Sequence, residues 1–400
     1  MKNRKIPQST FPIMLIAIIV TLFLLRVSGG SIWPFVPASL NQAAKLYSVP
    51  FEIMSLMSKN PSAPTSNATN LTITPTSGSK NPLMLGWILD TGASAITGVV
   101  NQTPGLNVLS PKWFHVDGRN GAIAGTPEQS VIDQAHAKHL QVWAVVDNGF
   151  NGTLSHSILR YQDQQDMLIK HIVQLAVVNH LNGINLDFEG LLPQDRWNYS
   201  RFVAVLASQL HANHIKLSID LPPDYVSGIN TGPYNHVALA KAADYIILMG
   251  YDEYWLGDPN AGPTASLPWV HLAVNDFLQT GVPAKKLILG IPFYSEDWTM
   301  NKQGKVLSSV ALSTSESSQL VQQLHARLVW NAKEGVYFTT YQSHGKWHEM
   351  WLEDHRTLML FAELARNDHL AGIATWYLGL ESQSTWLSVL HTLHSPTISD

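Results

Sequence analysis

Asn182-Gly-Ile-Asn185-Leu-Asp187-Phe-Glu189-Gly190 decides the fold, because Asn185, Asp187 and Glu189 alternate with Ile184, Leu186 and Phe188. In a strand, alternate side chains share a face, so one face here is polar throughout and the other apolar. Helix-like segments on both sides point to a parallel strand covered on both faces. Burying two carboxylates and an amide is costly, and packing alone gives no reason for it. A parallel barrel supplies one, since inward residues near a strand's C-terminal end open into the mouth where active sites lie. We therefore read Glu189 as a catalytic acid. The competing reading is an acidic first helical turn. It is disfavoured because Pro193, Gln194 and Asp195 are placed to cap a helix beginning near Arg196, which leaves Glu189 outside it.

Outward from this stretch, β-rich runs recur at 83–89, 108–116, 141–146, 183–188, 216–221, 245–249, 287–291 and 372–377. Helical patterns lie between them at 128–139, 160–180, 197–213, 268–280 and 354–368. Eight such runs predict an α/β fold, a (β/α)8 TIM barrel over residues 81–395. The gap between the seventh and eighth strands contains Val336-Tyr-Phe-Thr-Thr-Tyr341 and is expected to hold a small α+β insertion, about 296–350, walling one side of the cleft.

Upstream, Lys2, Arg4 and Lys5 precede an apolar run from Phe11 to Leu25, followed by Arg26 and the small residues Ser28 to Ser31. This reads as an export signal over 1–31. The run is short for a span of roughly 20 residues, so a cleaved signal peptide and an uncleaved anchor holding the chain to the membrane both stay open. Either way the remainder is expected outside the cell. Residues 32–80 read as a juxtamembrane segment, with a short amphipathic helix around Leu40 to Met57, and a Ser/Thr/Asn/Pro-rich flexible linker.

The 400 residues, 45% hydrophobic, can bury a large core. A net charge of -4 with 14% charged residues gives no basic field for nucleic acid and suits an uncharged polymer such as a polysaccharide. Thirteen Trp and twelve Tyr offer rings that can stack on sugars, although most such rings fill cores. With no cysteine, the exported domain is expected to fold without disulfides. His344 and His348 come with no Cys and no carboxylate pair at ligand spacing, so no metal or other cofactor is expected and they read as surface histidines. The chain is expected to act as a monomer.

Asn182-x-x-Asn185-x-Asp187-x-Glu189 resembles the Asp-x-x-Asp-x-Asp-x-Glu signature of glycoside hydrolase family 18, the chitinase-like barrels, and falls on the fourth strand as that family requires. Met249-Gly-Tyr251-Asp252 resembles the family's Met-x-Tyr-Asp at the end of strand six, and Trp376 its pocket-floor tryptophan. Val142 to Asn148, Met249 to Trp255 and His348 to Asp354 look most like the branch of bacterial spore-cortex and cell-wall N-acetylglucosaminidases. Asn182 and Asn185 depart from the signature, replacing aspartates, so Asp187 is expected to lack an acidic neighbour on its inner side.

Asp187 and Glu189 lie on one side of one strand and cannot flank a sugar as the carboxyl pair of an ordinary retaining glycosidase does, about 5 to 5.5 Å apart. Substrate assistance, the exception associated with family 18, resolves this. The resemblance implies that Glu189 protonates the leaving oxygen while the substrate's own 2-acetamido oxygen attacks the anomeric carbon. Asp187 would orient the acetamido group, Tyr251 would hold its carbonyl and Asp252 would contact the sugar. Asn185, Trp376, Trp351 and Glu253 complete the expected substrate contacts. Trp351, Glu353 and Asp354 also read as the start of a helix with an acidic first turn. The expected activity is cleavage of β-linked N-acetylglucosamine polymers, peptidoglycan or a chitin-like chain. The alternative is a non-catalytic, lectin-like relative that binds the same glycan.

Overall fold

The computed structural model describes residues 82–89, 93–223 and 232–395. The expected export segment, the helix around Leu40 to Met57 and the linker lie outside them. The barrel strands are β1 (Leu83–Ile88), β2 (Val108–Val116, with the short antiparallel β3, Ile123–Ala124, on its end), β4 (Gln141–Asp147), β5 (Gly183–Asp187), β6 (Lys216–Leu221), β7 (Tyr245–Met249), β8 (Leu287–Pro292) and β14 (Gly372–Trp376). Each pairs in parallel with the next, β14 pairs with β1, and β1 pairs with β2, so the ring closes. This is the TIM barrel read from the sequence, strand for strand.

The alternation that decided the reading becomes two separate cores. Ile184, Leu186 and Phe188 are buried in the layer between barrel and helices. Asn185 and Asp187 turn inward, into a barrel interior whose apolar fill includes Leu85, Trp87, Trp143, Val145, Ile247 and Ile288. Each fully buried large apolar side chain is worth about 1.5–3 kcal/mol. A one-residue slip of β5 would take Ile184, Leu186 and Phe188 out of the helix-facing layer and push Asn185 and Asp187 into it, so the register that aims Asp187 is strongly held.

Helices α1 (Ala93–Gln102), α2 (Gln129–Ala137), α3 (Gly152–Leu159), α4 (Gln162–Val178), α5 (Arg196–His211), α6 (His236–Ala242) and α7 (Leu267–Gln279) cover the strands. In α5, Tyr199, Phe202, Val203, Leu206 and Leu210 recur at helical spacing and are buried. Phe188 stacks on Tyr199 at 6.2 Å and on Phe202 at 6.0 Å, which anchors the chain one residue before Glu189. Of these seven, the sequence reading omitted α1, α3 and α6, which are only 10, 8 and 7 residues long.

Between the seventh and eighth barrel strands, β9 (Tyr294–Met300), β10 (Val306–Ser313), β11 (Val329–Asn331), β12 (Val336–Ser343) and β13 (Lys346–Leu352) form an antiparallel sheet in the order β10-β9-β13-β12-β11. Helix α8 (Thr314–Gln323) begins with a capping box between Ser313 and Glu316. Asp354 caps α9 (His355–Asn367) by accepting from the amides of Arg356 and Thr357. Helix α10 (Gln383–His394), capped by Ser382, ends the described fold. The insertion thus has the α+β composition expected of it.

Candidate active site

Strand β5 ends at Asp187, and the two residues beyond it are clamped from both sides. The Tyr234 hydroxyl donates to the Phe188 carbonyl at 2.9 Å. Asn148 donates to the Glu189 carbonyl at 2.7 Å and accepts from the Glu189 amide at 3.0 Å. The same Asn148 amide also donates to Ser155 at 2.9 Å, so the clamp is itself held. Glu189 is half-buried and faces a cleft of about 510 Å³, within the range of small-ligand sites.

Asp187, Glu189, Tyr251, Asp252 and Trp376 all line this cleft. Tyr251 stacks on Trp376 at 6.2 Å, and Trp87 meets both rings edge-on at 6.4 and 5.6 Å, which makes an aromatic floor. The peptide between Trp376 and Tyr377 is cis. Asp252 has a left-handed backbone, φ 65°, a conformation that Asp tolerates better than most residues. Its carboxylate accepts from the Tyr294 hydroxyl.

The carboxylates are not equivalent. Burial raises the Asp187 pKa, the Lys112 ammonium pulls it back, and Asp147 pushes it up again. Lys112 Nζ lies 3.0 Å from Asp147 and 3.5 Å from Asp187 Oδ2. Burial alone would discharge Lys112, but Asp187, Asp147 and Glu189 outweigh it and keep the ammonium charged. For Glu189, burial and then the Asp187 charge push the pKa well above the ordinary carboxylate value, with Lys112 opposing. Glu189 therefore keeps a proton to give. Asp252 is pushed up to about 6 by burial, against the bond from Tyr294. Asp187 Oδ1 is buried with no hydrogen-bond partner. A buried acceptor left open in a cleft is what a ligand N–H would fill.

Three of the expected substrate contacts are absent from the cleft lining. Asn185 is fully buried inside the barrel, where Oδ1 accepts from Trp87 Nε1 at 2.7 Å and Ser110 Oγ at 3.2 Å, and Nδ2 donates to Asp220 at 2.7 Å. Trp351 packs on Phe338 in the inserted sheet and donates to Glu334 at 3.2 Å. Glu253 accepts from the Ser266 amide at 2.7 Å. The amide and the two side chains are occupied by the protein itself, which sequence spacing could not reveal. Glu353 likewise accepts from the Ala265 amide at 3.0 Å, while Asp354 is the helix cap. Asn182 sits at the opposite end of the strand, accepting from the Val142 amide at 2.8 Å and facing His136 Nε2 at 2.9 Å, so its departure from the signature does not touch the site.

The inner position beside Asp187 holds Asn185 rather than an acid, but acidic neighbours reach Asp187 from the adjacent strands. Asp147 on β4 acts on it directly, and Asp187 in turn helps raise Asp220 on β6, after burial and against Asn185 and Lys112. These groups come from adjacent strands, whereas the sequence argument looked only along β5. The site also contains Lys112, Tyr294 and Glu296, which the sequence reading missed. Of these, only Lys112, a lone cation in a β-rich run, carried a signal. His344 is exposed, but His348 is half-buried, with Nδ1 3.1 Å from Asp297 and its ring on Tyr341, so it is not the surface histidine expected. Among the described residues, no group of three or more His, Asp or Glu side chains is arranged to hold a metal.

A closed parallel barrel with an acid at the mouth of its fourth strand, over an aromatic floor, is an arrangement that suits a glycoside hydrolase, and the relatives of this chain place it in that class. The family model for glycosyl hydrolases family 18 matches residues 96–381, and the chain belongs to that family. An uncharacterized glycosylase, YvbX, of Bacillus subtilis is 29% identical over 295 residues, covering 71% of this chain and 84% of the relative. The cortical fragment-lytic enzyme of the same organism is 25% identical over 295 residues, covering 71% and 67% respectively. A chitinase from Chromobacterium violaceum superposes with a TM-score of 0.71 at 25% identity, over 79% of this chain and 100% of that one. The Bacillus megaterium spore cortex-lytic enzyme SleL has the same fold, with a TM-score of 0.71 at 22% identity over 79% and 75%.

Proposed function

We propose that the chain is an exported, retaining β-N-acetylglucosaminidase that cleaves N-acetylglucosamine polymers by substrate assistance, with peptidoglycan the first substrate and chitin-like chains the second. The carrying observation is the placement at one strand end of Glu189, whose carboxyl pKa burial and Asp187 push well above the ordinary value, beside an Asp187 whose Oδ1 has no partner. In the first step the acetamido oxygen attacks the anomeric carbon while Glu189 gives its proton to the glycosidic oxygen, and the leaving sugar departs as an alcohol. Asp187 accepts from the acetamido N–H and offsets the positive charge of the oxazolinium ion. In the second step the Glu189 carboxylate takes a proton from water, whose oxygen attacks the same carbon and reopens the ring. Two displacements return the original anomeric configuration.

The cortical fragment-lytic relative favours peptidoglycan. A tobacco class V chitinase of the same fold, whose structure was determined in complex with NAG4, keeps the chitin-like chain in view. The basic N-terminus followed by the apolar run supports export, by a cleaved signal or by a membrane anchor. The test is digestion of purified peptidoglycan, chitin and a deacetylated glucosamine polymer, with mass analysis of products, by wild type and Glu189→Gln. Cleavage of the acetylated polymers alone, lost in the variant, is expected. Equal rates for the two proteins contradict the assignment, and binding without turnover points to the lectin-like alternative.

A further inference from the structure

In β2 the register against β4 slips between Lys112 and Phe114. Before the slip, Ser110 and Lys112 look into the barrel, one bonding Asn185 and the other lining the cleft. After it, Trp113 and Phe114 both pack in the outer core. Regular alternation up to the slip, Ser110 and then Lys112, sets the side chain of Lys112 into the mouth, and the slip beyond it turns Phe114 out to the helix layer. Among the described residues lining the cleft, Lys112 is the one cation, against the carboxyls of Asp187, Glu189, Asp220, Asp252 and Glu296. Its ammonium reaches Oδ2 of Asp187, a residue of the cleft lining, and leaves Oδ1 without a partner.

We propose that Lys112 is a positioning residue: it holds Asp187 ionised and fixed through Oδ2, so that Oδ1 is presented to the acetamido N–H of the bound sugar. The proposal rests on the role given to Asp187 in the proposed function. Asn185 supplies an N–H to Asp220 rather than a carboxylate with which Asp187 could share a proton. The charge of Lys112 takes the place of that proton. Asp147, bonded to the Gly149 amide at 2.7 Å and to Lys112 at 3.0 Å, keeps the ammonium from collapsing fully onto Asp187. The charged groups acting on or with Lys112 are thus Asp147 from β4, Asp187 and Glu189 from the end of β5 and Asp220 from β6.

Binding separates this role from turnover. The affinity of the Glu189→Gln protein for an N-acetylglucosamine tetramer, measured by calorimetry from pH 4 to 8, should fall on the acid side as Asp187 takes up a proton. Adding Lys112→Met should move that limb to higher pH by about 1–3 units, the usual effect of a neighbouring opposite charge. Lys112→Arg should restore most of the shift. Asp147→Asn removes a carboxylate that pushes Asp187 up and should move the limb the other way. Arginine and asparagine variants keep the test intact should the methionine variant fail to fold. Limbs unmoved in the variants overturn the proposal and leave the glycosidase assignment standing. Moved limbs in a chain whose wild type cleaves nothing overturn the glycosidase assignment and leave the role of Lys112 standing.

Discussion

Tyr251→Phe removes a single hydroxyl from the aromatic floor. The ring is only 8% exposed and is fixed by stacking on Trp376 at 18° and by the edge of Trp87 at 85°. Phenylalanine fills the same space, so no cavity forms and stability should change by less than about 1.5 kcal/mol. Burial, with the charges of Asp220, Asp187, Asp252 and Glu189, raises the phenol pKa well above its ordinary value, so Tyr251 is an O–H donor at any working pH. In the proposed reaction that donor holds the acetamido carbonyl, whose oxygen becomes the nucleophile. Losing one preorganised donor in a closed site lowers kcat about 100- to 1000-fold, or about 2.7–4 kcal/mol. The ring contacts and Asp187 still bind the sugar, so KM should move by less than about threefold. Steady-state kinetics on a chromogenic N-acetylglucosaminide oligomer, with thermal unfolding of both proteins, measures all three quantities. A kcat loss below about fivefold, or a loss carried wholly by KM, refutes the role given to Tyr251.

Burial, Asp252 and Asp297 hold the Glu296 carboxyl up at about 8 against an ordinary 4.5, with Ser309 opposing. The folded chain keeps a proton that the unfolded chain releases, so stability from this side chain is full below about 4.5 and is lost as the pH rises towards about 8. Glu296→Gln stays neutral throughout and should be more stable than wild type at pH 8, by on the order of a few kcal/mol, with the gap closed at pH 4. Equal offsets in thermal unfolding at the two pH values count against this. Gly183→Ala would place its Cβ 2.6 Å from the indole of Trp143, a fully buried ring stacked on Tyr245. Overpacking of this kind should cost about 1–3 kcal/mol, seen as a lower denaturant midpoint at unchanged slope. An unmoved midpoint means that the ring can yield.

The alternation in β5 carried most of the fold, because a barrel strand needs a wet inner end and a dry outer face at once, and few other settings do. The β-branched runs of the other strands and the long gap after the seventh followed the same logic. Glu189 was legible from the alternation itself, while the roles expected of Asp187 and Tyr251 came from the resemblance of their motifs to the family's; the structure brings all three to one cleft. The role of Lys112 was not legible. A lone cation in a β-rich run was its whole signal, and its proposed role depends on carboxylates from β4 and β5 that a linear pattern does not bring together. Trp351 and Glu253 looked like ligand contacts for the converse reason: residue type and proximity to the motif suggested it, while partners far along the chain, Glu334 and Ser266, had already occupied them.

In the proposed reaction the substrate's own amide, rather than water, makes the first attack while Glu189 supplies the proton. Proton NMR of the reaction during its first minutes, on an N-acetylglucosamine oligomer with β linkages, reads this directly. The β-anomer of the new reducing end should appear first and then mutarotate. Initial release of the α-anomer would contradict this route.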